Sequence, residues 1–447
     1  MGKYFGTDGF RGEANKELTA IHAFKIGRYL GWYYSKERRG RIVIGKDTRR
    51  SSYMLEYALC AGICSSGADA YLLHVTTTPS VSFVARAEDF DCGIMISASH
   101  NPYYDNGIKI MNSRGEKMEE DIIHKIEGYL DNEISELPLA TGENIGCTID
   151  YVLGRNRYTG YVISLAKNSY RGKKIGIDAA NGSTWMLAKS IFDTLGAQTF
   201  VIGNSPNGLN INSDCGSTHL DALCSLVKEN KLDIGLAFDG DADRCLAVDE
   251  QGEIISGDNI IYFCAKYMKE RGELDKNTVA VTVMSNLGLF KALDREGIAY
   301  VKTDVGDKYV YEAMRKGGYS LGGEESGHII FSKFGATGDG LITAIKIMET
   351  LIESKGSASK LSDGFVRYPQ MTENIRVKDK DAPLSDPDVL SAKDVVEKRL
   401  SDGGRVLLRK SGTEPVIRIM AEAKSREECE SVISSIAEVI RKKGYEV

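Results

Sequence analysis

Short apolar runs alternate with segments of helical periodicity along most of this 447-residue chain. Four of the runs predict buried strands because each is short and bounded by polar or turn-forming residues. They lie at residues 41–45, 70–73, 175–178 and 279–283. Between them, apolar residues at spacings of three and four predict helices at 54–67 and 184–196. Alternating strands and helices are typical of an α/β protein with parallel or mixed sheets.

Changes in composition divide the chain into four blocks, which fits a length that exceeds a single hydrophobic core. A mostly polar stretch at 131–146 ends the first block, and a turn at 249–252 ends the second. The composition changes again near residues 367–369. We therefore predict domains at 1–150, 151–252, 253–368 and 369–447.

The bulk composition excludes several classes of partner. A formal net charge of −6 gives no reason to expect nucleic acid or an anionic membrane. No apolar run reaches the ~18 residues of a membrane span, and the N-terminus does not resemble a signal peptide. The nine cysteines are scattered and form no CxxC pair, which is typical of reduced thiols. The expected location is therefore the cytoplasm.

A serine follows one of the buried strands directly. The apolar run at 92–96 leads into residues 97–102 (SASHNP), which contain Ser99 and His100. Loops at the carboxyl edge of a strand commonly present reactive side chains. The absence of a GxSxG elbow argues against a Ser-His-Asp hydrolase. An ordinary turn serine with a hydrogen-bonding histidine remains the alternative reading of this loop.

Three alternating carboxylates follow another strand. The run at 234–238 leads into Asp239, Asp241 and Asp243, and Arg244 comes next. Two carboxylates ~4 Å apart repel each other by ~4 kcal/mol at an effective dielectric constant of ~20. A cation would relieve this repulsion, and an all-oxygen set suits Mg²⁺. The two loops together indicate a serine that carries a phosphoryl group beside a divalent cation.

Three other readings of the acidic loop deserve comparison. A solvated acidic turn needs no ligand. A calcium EF-hand places glycine at the sixth loop position, where this chain has Arg244, and both flanks here are strands. An aspartyl-nucleophile phosphatase of the DxDxT or DxDxV type is weakened because the fifth residue is Asp243.

Further polar groups could assist such chemistry. Lys109 lies on a predicted strand ten residues after Ser99, where it could stabilise a phosphoryl group or move a proton. Residues 322–328 (GGEESGH) could bind sugar hydroxyls or form a polar turn. Residues 407–419 hold two arginines, two hydroxyl side chains and a glycine, which could form a phosphate pocket or a basic hairpin.

Taken together, these loops resemble those of the α-D-phosphohexomutase superfamily over the whole chain. The opening FGTDGFRG resembles the superfamily's first signature, and the serine, acidic, sugar and phosphate loops follow in its order. SASHNP, DGDADR and RKSGTEP are most similar to the motifs of bacterial phosphoglucosamine mutases. The resemblance implies three similar α/β domains and a C-terminal α+β domain around a central cleft.

The resemblance also implies a reaction, the interconversion of glucosamine 6-phosphate and glucosamine 1-phosphate through a phosphoserine and a bisphosphorylated sugar. Ser99 would carry the phosphoryl group and hold Mg²⁺ together with Asp239, Asp241 and Asp243. The other catalytic residues implied are Arg11, His100, Lys109, Arg244 and His328. The substrate-binding residues implied are Glu324, Ser326, Arg409, Ser411, Gly412, Thr413 and Arg418. The expected partner is a small phosphosugar, and the expected state is a monomer or homodimer.

The chain departs from the superfamily's usual motifs at a few positions. Phe10 replaces Ile, Lys308 replaces Arg, Glu325 replaces Gln, and residues 49–52 lack a glycine. Lys308 and Glu325 leave substrate preference open, so a phosphomannomutase/phosphoglucomutase of the same superfamily is one alternative. A non-catalytic sugar-phosphate-binding regulator is another, disfavoured because the nucleophile, the carboxylates and both candidate proton carriers are present.

Overall fold

The computed structural model describes residues 2–411 and 415–447. The chain groups into two compact units, and each is described by itself. The first holds Met1–Met284 with Ile298–Asp363, and the second holds Ser285–Gly297 with Gly364–Val447.

The first unit begins with a seven-stranded sheet. Its strands are β1 (Phe5–Gly6), β2 (Gly9–Glu13), β3 (Arg41–Lys46), β4 (Asp69–Val75), β5 (Cys92–Ile96), β6 (Asp105–Asn112) and β7 (Thr148–Asp150). They lie in the order β1-β2-β6-β5-β3-β4-β7. Strand β5 pairs in parallel with β3 and antiparallel with β6, so the serine loop begins in the middle of the sheet.

Four helices accompany this sheet. They are α1 (Ala20–Tyr34), α2 (Arg50–Ser65), α3 (Thr78–Ala87) and α4 (Glu120–Leu130). Thr77 caps α3 by accepting a hydrogen bond from the Ser80 N–H, and Pro79 suits its first turn. The cap fixes the start of α3, and with it Thr78, at a defined place.

The second sheet of this unit has five strands. They are β8 (Lys174–Asp178), β9 (Gln198–Ile202), β10 (Ile234–Phe238), β11 (Cys245–Asp249) and β12 (Ile254–Ile255), in the order β12-β11-β10-β8-β9. The accompanying helices are α5 (Val152–Ser164), α6 (Leu187–Thr194) and α7 (Asp221–Asn230). Strand β10 is buried along its whole length, between parallel β8 and antiparallel β11. The acidic loop therefore also starts from the interior of a sheet.

The third sheet has four strands. They are β13 (Thr278–Thr282), β14 (Ala299–Thr303), β15 (Leu321–Gly323) and β16 (Ile329–Phe331), in the order β14-β13-β15-β16. The helices in this part of the sequence are α8 (Gly257–Glu270), α9 (Leu287–Arg295), α10 (Asp307–Gly317) and α11 (Gly340–Ser354). Of these, α9 belongs to the second unit. Short 3₁₀ turns lie at Gly142–Asn144, Asp275–Asn277 and Ala358–Ser362.

The second unit contains an antiparallel sheet of three strands. They are β17 (Gln370–Arg376), β18 (Arg405–Lys410) and β19 (Val416–Glu422), and β19 lies in the middle. The other helices are α12 (Ala382–Ser385), α13 (Pro387–Leu400) and α14 (Arg426–Lys442), with a 3₁₀ turn at Ser401–Gly403. Ile375, Ile417, Ile419, Val432 and Ile436 are fully buried in the core of this unit. Three α/β sheets and a C-terminal α+β unit confirm the predicted fold class.

The structure refines several predicted elements. The strands predicted at 92–96 and 234–238 have these bounds in β5 and β10. Helix α2 begins at Arg50 rather than at 54, because its polar first turn carries no apolar signal. The first two residues of the 322–328 segment, Gly322 and Gly323, belong to strand β15 and pair with β16. No helix in the described residues is both long and apolar enough to cross a membrane.

Candidate active site

Ser99 lies just beyond the end of β5. Its backbone φ is +51°, in the left-handed region that residues other than glycine rarely adopt. The residue is also almost fully buried, with 1% of its surface exposed. Strained backbone of this kind costs roughly 1–3 kcal/mol and occurs preferentially at functional sites. The serine loop is therefore a candidate for chemistry rather than an ordinary surface turn.

The Ser99 hydroxyl reaches the acidic loop. Its Oγ donates to Oδ2 of Asp239 at 2.5 Å, and Nδ1 of His100 lies 3.3 Å from the same Oγ. Burial, and then the charges of Arg244 and Arg11, lower the pKa of His100 to about 4. The imidazole is therefore neutral near pH 7.

A buried arginine holds the backbone of the serine loop. The guanidinium of Arg49 donates to the carbonyl oxygens of Ser99 at 3.2 Å and Asn101 at 2.6 Å. Nδ2 of Asn212 donates to the same two carbonyls at 2.8 and 3.0 Å. Asp47 forms an ion pair with Arg49, and both side chains are fully buried. The loop is thus fixed from two sides by groups that do not touch the Ser99 hydroxyl.

The acidic loop turns between β10 and β11, and Ala242 adopts a φ of +58° within it. One oxygen each of Asp239, Asp241 and Asp243 lies within 4.8 Å of the other two, and all three residues are buried. The three carboxylates that alternate in sequence therefore converge in space. Such a cluster can hold a metal ion.

The oxygens of this cluster differ in what they contact. Oδ2 of Asp241 accepts from Oγ1 of Thr78 at 2.5 Å and from Nζ of Lys109 at 2.9 Å. In contrast, Oδ1 of Asp241 and Oδ1 of Asp243 are buried without a hydrogen-bond partner among the described residues. Buried acceptors without a donor are costly, and a cation would satisfy them. Carboxylate oxygens are the ligands that Mg²⁺ prefers, so this donor set fits the ion.

Lys109 supplies a fixed positive charge beside the cluster. Its Nζ lies 2.9 Å from Asp241, 3.2 Å from Asp243 and 3.4 Å from Asp8. Burial opposes the charge, but Asp241, Asp8 and Asp243 outweigh it and raise the pKa of Lys109 well above its usual range. In this environment the side chain stays an ammonium, which donates hydrogen bonds and contributes a fixed positive charge.

Two arginines lie among the same carboxylates. Nε of Arg244 is 3.9 Å from Oδ1 of Asp243. Burial opposes the charge of Arg244, but Asp243 and the neighbouring acids raise its pKa. Arg11 forms an ion pair with Asp8 and donates to Oδ1 of Asn101 at 3.3 Å. Both guanidinium groups can therefore stabilise added negative charge, such as that of a phosphoryl group.

The loop between β15 and β16 is joined to the end of the acidic loop, because the Cys245 N–H donates to the Gly327 carbonyl at 3.0 Å. Oε1 of Glu324 accepts from the Gly306 N–H at 3.1 Å. Oγ of Ser326 is buried and has no hydrogen-bond partner within the described part of the chain. These side chains can offer acceptors and a donor to the hydroxyl groups of a ligand.

His328 follows in the same loop and is 4% exposed. In residues 2–411 and 415–447, neither ring nitrogen has a hydrogen-bond partner, and Nε2 lies 3.8 Å from Oδ2 of Asp307. Asp307 is itself paired with Lys117 at 2.7 Å. Burial of Asp243 raises the pKa of its carboxyl group, but the charges of Lys109 and His328 outweigh burial and lower this pKa. His328 is therefore close to the acidic loop and has both nitrogens available for a ligand.

A cavity of about 540 Å³ opens beside these groups and is lined by Asp8, Lys109, Asp243 and Asp307, among other residues. This volume lies within the ~300–1,000 Å³ typical of small-molecule sites. The first unit thus brings together eleven of the residues predicted from sequence. They are Arg11, Ser99, His100, Lys109, Asp239, Asp241, Asp243, Arg244, Glu324, Ser326 and His328.

Of the other predicted residues, Arg409, Ser411 and Arg418 lie in or next to the hairpin of β18 and β19 in the second unit. Arg409 and Arg418 are directly opposite each other in its register. Burial, and then the charge of Arg418, lower the pKa of Arg409. Two like charges held face to face favour an anion between them. The Ser411 N–H donates to the Val416 carbonyl at 3.0 Å, while Gly412 and Thr413 lie outside the described residues.

Sequence reasoning did not assign several residues that contact the site. Asp8 was visible only as part of the opening signature. Thr78, Asp47, Arg49 and Asn212 were not assigned a role, because each acts through a contact with a residue at least 50 positions away in the sequence.

Family models match the chain in four consecutive segments. Residues 2–136, 156–252 and 256–368 match the alpha/beta/alpha domains I, II and III of phosphoglucomutase/phosphomannomutase. Residues 373–439 match its C-terminal domain. The chain belongs to the phosphoglucomutase/phosphomannomutase family. The sequence-based recognition of this superfamily is confirmed, and with it the assignment of the chain as an enzyme of the mutase type.

Relatives within the family are similar to this chain over its full length. A phosphoglucosamine mutase from Lachnospira eligens is 62% identical over 450 residues, which span 100% of both chains. A solved phosphoglucomutase/phosphomannomutase family protein from Burkholderia thailandensis has a TM-score of 0.80 at 23% identity. It covers 100% of this chain and 99% of its own. At 23% identity, the similarity to the Burkholderia thailandensis protein shows a shared fold alone.

Another solved structure is that of N-acetylphosphoglucosamine mutase from Aspergillus fumigatus in complex with GlcNAc-6P and magnesium. Its TM-score is 0.68 at 18% identity, with coverage of 99% of this chain and 96% of that one. The present family member shares its fold.

The departures from the family motifs have structural explanations in part. Phe10 is 3% exposed and packs against the rings of Tyr4 and Phe5, so the larger side chain fills core space. Lys308 forms an ion pair with Glu120. The packing of Phe10 accounts for the first departure, whereas nothing in the structure explains why lysine replaces arginine at position 308.

Proposed function

We propose that this family member interconverts glucosamine 6-phosphate and glucosamine 1-phosphate. One observation carries the reaction type, namely the hydrogen bond from Ser99 Oγ to Asp239 within a buried acidic cluster. The full-length likeness to the Lachnospira eligens enzyme supports the choice of glucosamine. A phosphomannomutase/phosphoglucomutase activity is the second candidate, because Glu325 and Lys308 differ from the usual residues of the family.

In the proposed cycle, Ser99 carries a phosphoryl group in the active enzyme. A hydroxyl of the sugar phosphate attacks this phosphorus, a new P–O bond forms, and the bond between phosphorus and Ser99 Oγ breaks. The sugar hydroxyl gives up its proton, and Ser99 takes one as its oxygen leaves. The bisphosphorylated sugar then turns round and returns its other phosphoryl group to Ser99 by the reverse steps.

Asp239, Asp241 and Asp243 would hold Mg²⁺ together with the phosphoseryl group. The ion would neutralise charge on the transferring phosphoryl group, which is the main catalytic requirement of phosphoryl transfer. The two buried Oδ1 atoms without a partner in the described chain support this assignment. Thr78 and Lys109 hold the other oxygen of Asp241, which orients that carboxylate.

The remaining site residues have roles that follow from their charge state. Arg244 and Arg11 are cations beside the transfer site and stabilise the phosphoryl oxygens. Lys109, protonated in its acidic surroundings, and His328, with two available ring nitrogens, are the candidates for proton transfer to and from the sugar. His100 is neutral and lies within reach of Ser99 Oγ, so it can stabilise the hydroxyl after transfer.

Substrate binding is divided between two loops in this proposal. Glu324 and Ser326 would bind sugar hydroxyls. The phosphate that does not react would be held by the C-terminal loop, through Arg409, Ser411, Gly412, Thr413 and Arg418. We further propose that the enzyme is cytoplasmic, since all nine cysteines are free thiols. The oligomeric state proposed is a monomer or a homodimer.

The test locates the phosphate and then compares substrates. Intact-mass measurement and peptide mapping of active enzyme should place one phosphate on Ser99, and Ser99→Ala should lower kcat at least about 10³-fold. A phosphate on Asp239 would instead indicate an aspartyl-nucleophile phosphatase. Among the 1-phosphates of glucosamine, glucose and mannose, glucosamine 1-phosphate should have the highest kcat/KM. A higher value for mannose or glucose would favour the second candidate, and no turnover of any of the three would favour a regulator.

A further inference from the structure

A buried tyrosine and a buried aspartate form a hydrogen-bonded pair in the first unit. The hydroxyl of Tyr158, on α5, donates to Oδ1 and Oδ2 of Asp339 at 3.0 and 2.9 Å. Both residues are buried. Burial, and then the charge of Asp339, raise the pKa of Tyr158 well above its usual range, so the phenol keeps its proton and remains a donor. The proposed cycle gives neither side chain a role.

Asp339 also fixes the start of α11. Its Oδ1 accepts from the Ile342 N–H at 2.9 Å, which caps the helix. The N–H of Asp339 donates to the Ile329 carbonyl at 3.3 Å, and this bond ties the residue to β16. Burial raises the pKa of Asp339 to about 6, although the hydrogen bonds from Ile342 and Tyr158 act against burial. Near pH 7 the carboxylate is therefore mostly ionised and is held by donors from two helices.

The residue after Asp339 contacts the acidic loop. The Gly340 N–H donates to the Ala242 carbonyl at 2.9 Å. Ala242 has the left-handed backbone with which this loop turns between two of its aspartates. A Cβ atom at Gly340 would lie 2.4 Å from the carbonyl oxygen of Arg244, so only glycine permits this close approach. The start of α11 therefore supports the turn that brings the carboxylates together.

The residue before Asp339 contacts the candidate proton carrier. A Cβ atom at Gly338 would lie 2.5 Å from Nε2 of His328 and 2.6 Å from two carbon atoms of the same ring. The imidazole thus lies directly against the backbone of Gly338. Asp339 is the residue between these two contacts, so a shift of the segment 338–340 would displace the His328 ring and the acidic loop together.

We propose that Tyr158 and Asp339 are positioning residues, which hold the segment 338–340 so that the acidic loop and His328 keep their places during transfer. This role rests on the proposed function, because it requires that the acidic loop holds Mg²⁺ and that His328 moves a proton. Neither side chain is one of the described residues that line the cavity beside the acidic cluster, so both act through the backbone. A displacement of ~1 Å can cost up to ~10²-fold in rate.

The experiment compares Tyr158→Phe with the matched control Tyr170→Phe. Tyr170 is also fully buried and donates to a carboxylate, that of Glu349 at 3.2 Å, farther along α11. Turnover is measured with whichever of the 1-phosphates of glucosamine, glucose and mannose the wild type converts fastest. Tyr158→Phe should lower kcat about tenfold and leave KM within about twofold. By calorimetric titration without substrate, its Kd for Mg²⁺ should rise at least about threefold. Tyr170→Phe should change none of these values.

Thermal unfolding separates positioning from stability. Both variants lose a buried hydrogen bond, so both should unfold at a lower temperature than the wild type. Wild-type kcat and Mg²⁺ affinity in Tyr158→Phe, or equal losses in Tyr170→Phe, would overturn the proposal. A wild type that prefers another sugar phosphate would overturn the choice of glucosamine and leave this comparison intact, because the ratio of variant to wild type does not depend on that choice.

A second pair of variants tests the acceptor. Asp339→Asn keeps an oxygen for Tyr158 and for the Ile342 N–H, so its kcat should stay within about threefold of the wild type. Asp339→Ala removes both bonds, and its kcat should fall at least about tenfold. Equal losses of kcat in Asp339→Asn and Asp339→Ala would show that the hydrogen bonds of Asp339 do not position the site, and would overturn the proposal as well.

Discussion

Two lysines of the first unit, Lys109 and Lys346, sit in opposite surroundings. Lys109 has carboxylate oxygens of three aspartates within 3.4 Å, and its pKa is raised. Lys346 lies beside a phenyl ring, and burial and then the charge of Lys167 lower its pKa. The same side chain thus has its charge compensated by the fold in one place, and only weakly in the other.

The difference lies in what each region can do without a ligand. Around Lys109 the acids and bases of the site are arranged before any substrate arrives, which is the preorganisation that phosphoryl transfer requires. Around Lys346 the nearby acids, Glu273 and Glu349, favour the charge but do not outweigh the effect of burial. A buried cation therefore belongs to a network of close ion pairs in one region and has only distant compensation in the other.

Removing a carboxylate from the compensated region should have the largest effect. Asp241→Asn takes away one proposed Mg²⁺ ligand and one partner of Lys109, so kcat should fall at least about 100-fold. The dependence of activity on Mg²⁺ concentration should shift to higher values. The control Asp193→Asn, at an exposed position of α6, should leave both quantities unchanged. Full activity of Asp241→Asn in the presence of a chelator would contradict the metal site.

Replacing each lysine by methionine in turn tests whether the surroundings of the two side chains differ in energy. In the presence of a chelator, Lys109→Met leaves buried carboxylates uncompensated, and the free energy of unfolding should fall by about 3–5 kcal/mol. Lys346→Met removes a poorly compensated charge, so its free energy of unfolding should stay within about 1 kcal/mol of wild type or rise. Denaturant unfolding measures both values. Equal losses in the two variants would show that the surroundings of the two lysines do not differ energetically.

A third region, the hairpin with Arg409 and Arg418, is expected to show an intermediate effect. If Arg418 binds the phosphate that does not react, Arg418→Ala loses a charge-assisted hydrogen bond of ~1.5–3 kcal/mol. The value of kcat/KM should then fall roughly 10- to 150-fold, with KM raised. Exposed Arg399→Ala is the matched control. Slow hydrolysis of the Ser99 phosphate by water should not change, and an equal loss in both reactions would assign Arg418 to folding or to the transfer step.

The smallest effect is expected at Glu325. A carboxylate near the 2-position of the sugar would favour an ammonium over a hydroxyl there, and a partly exposed ion pair is worth only ~0.2–1 kcal/mol. Glu325→Gln should therefore narrow the preference for glucosamine over glucose phosphate by a few-fold. Glu229→Gln on α7 is the control. An unchanged ratio of kcat/KM values would mean that Glu325 does not contact the sugar.

Features that depend on residues close together in the chain could be predicted from the sequence, whereas contacts between distant residues could not. The bounds of β5 and β10 followed from apolar runs, because a buried strand is a local pattern. The start of α2 was missed, because a polar first turn has no such pattern. The three aspartates were recognised as a cluster because they alternate within five residues. The resemblance of the motifs supplied the roles of residues farther apart.

By itself, the sequence determined the α/β class, the serine and acidic loops and the type of chemistry, since these depend on residues that are neighbours in the chain. Only the tertiary structure decided which groups meet. It places Ser99 against Asp239, 140 residues away, and Thr78 against Asp241. It also separates Lys109, among acids, from Lys346, beside a ring. The physical reason is that the burial and the charge state of a side chain depend on neighbours brought together by packing, which no local pattern records.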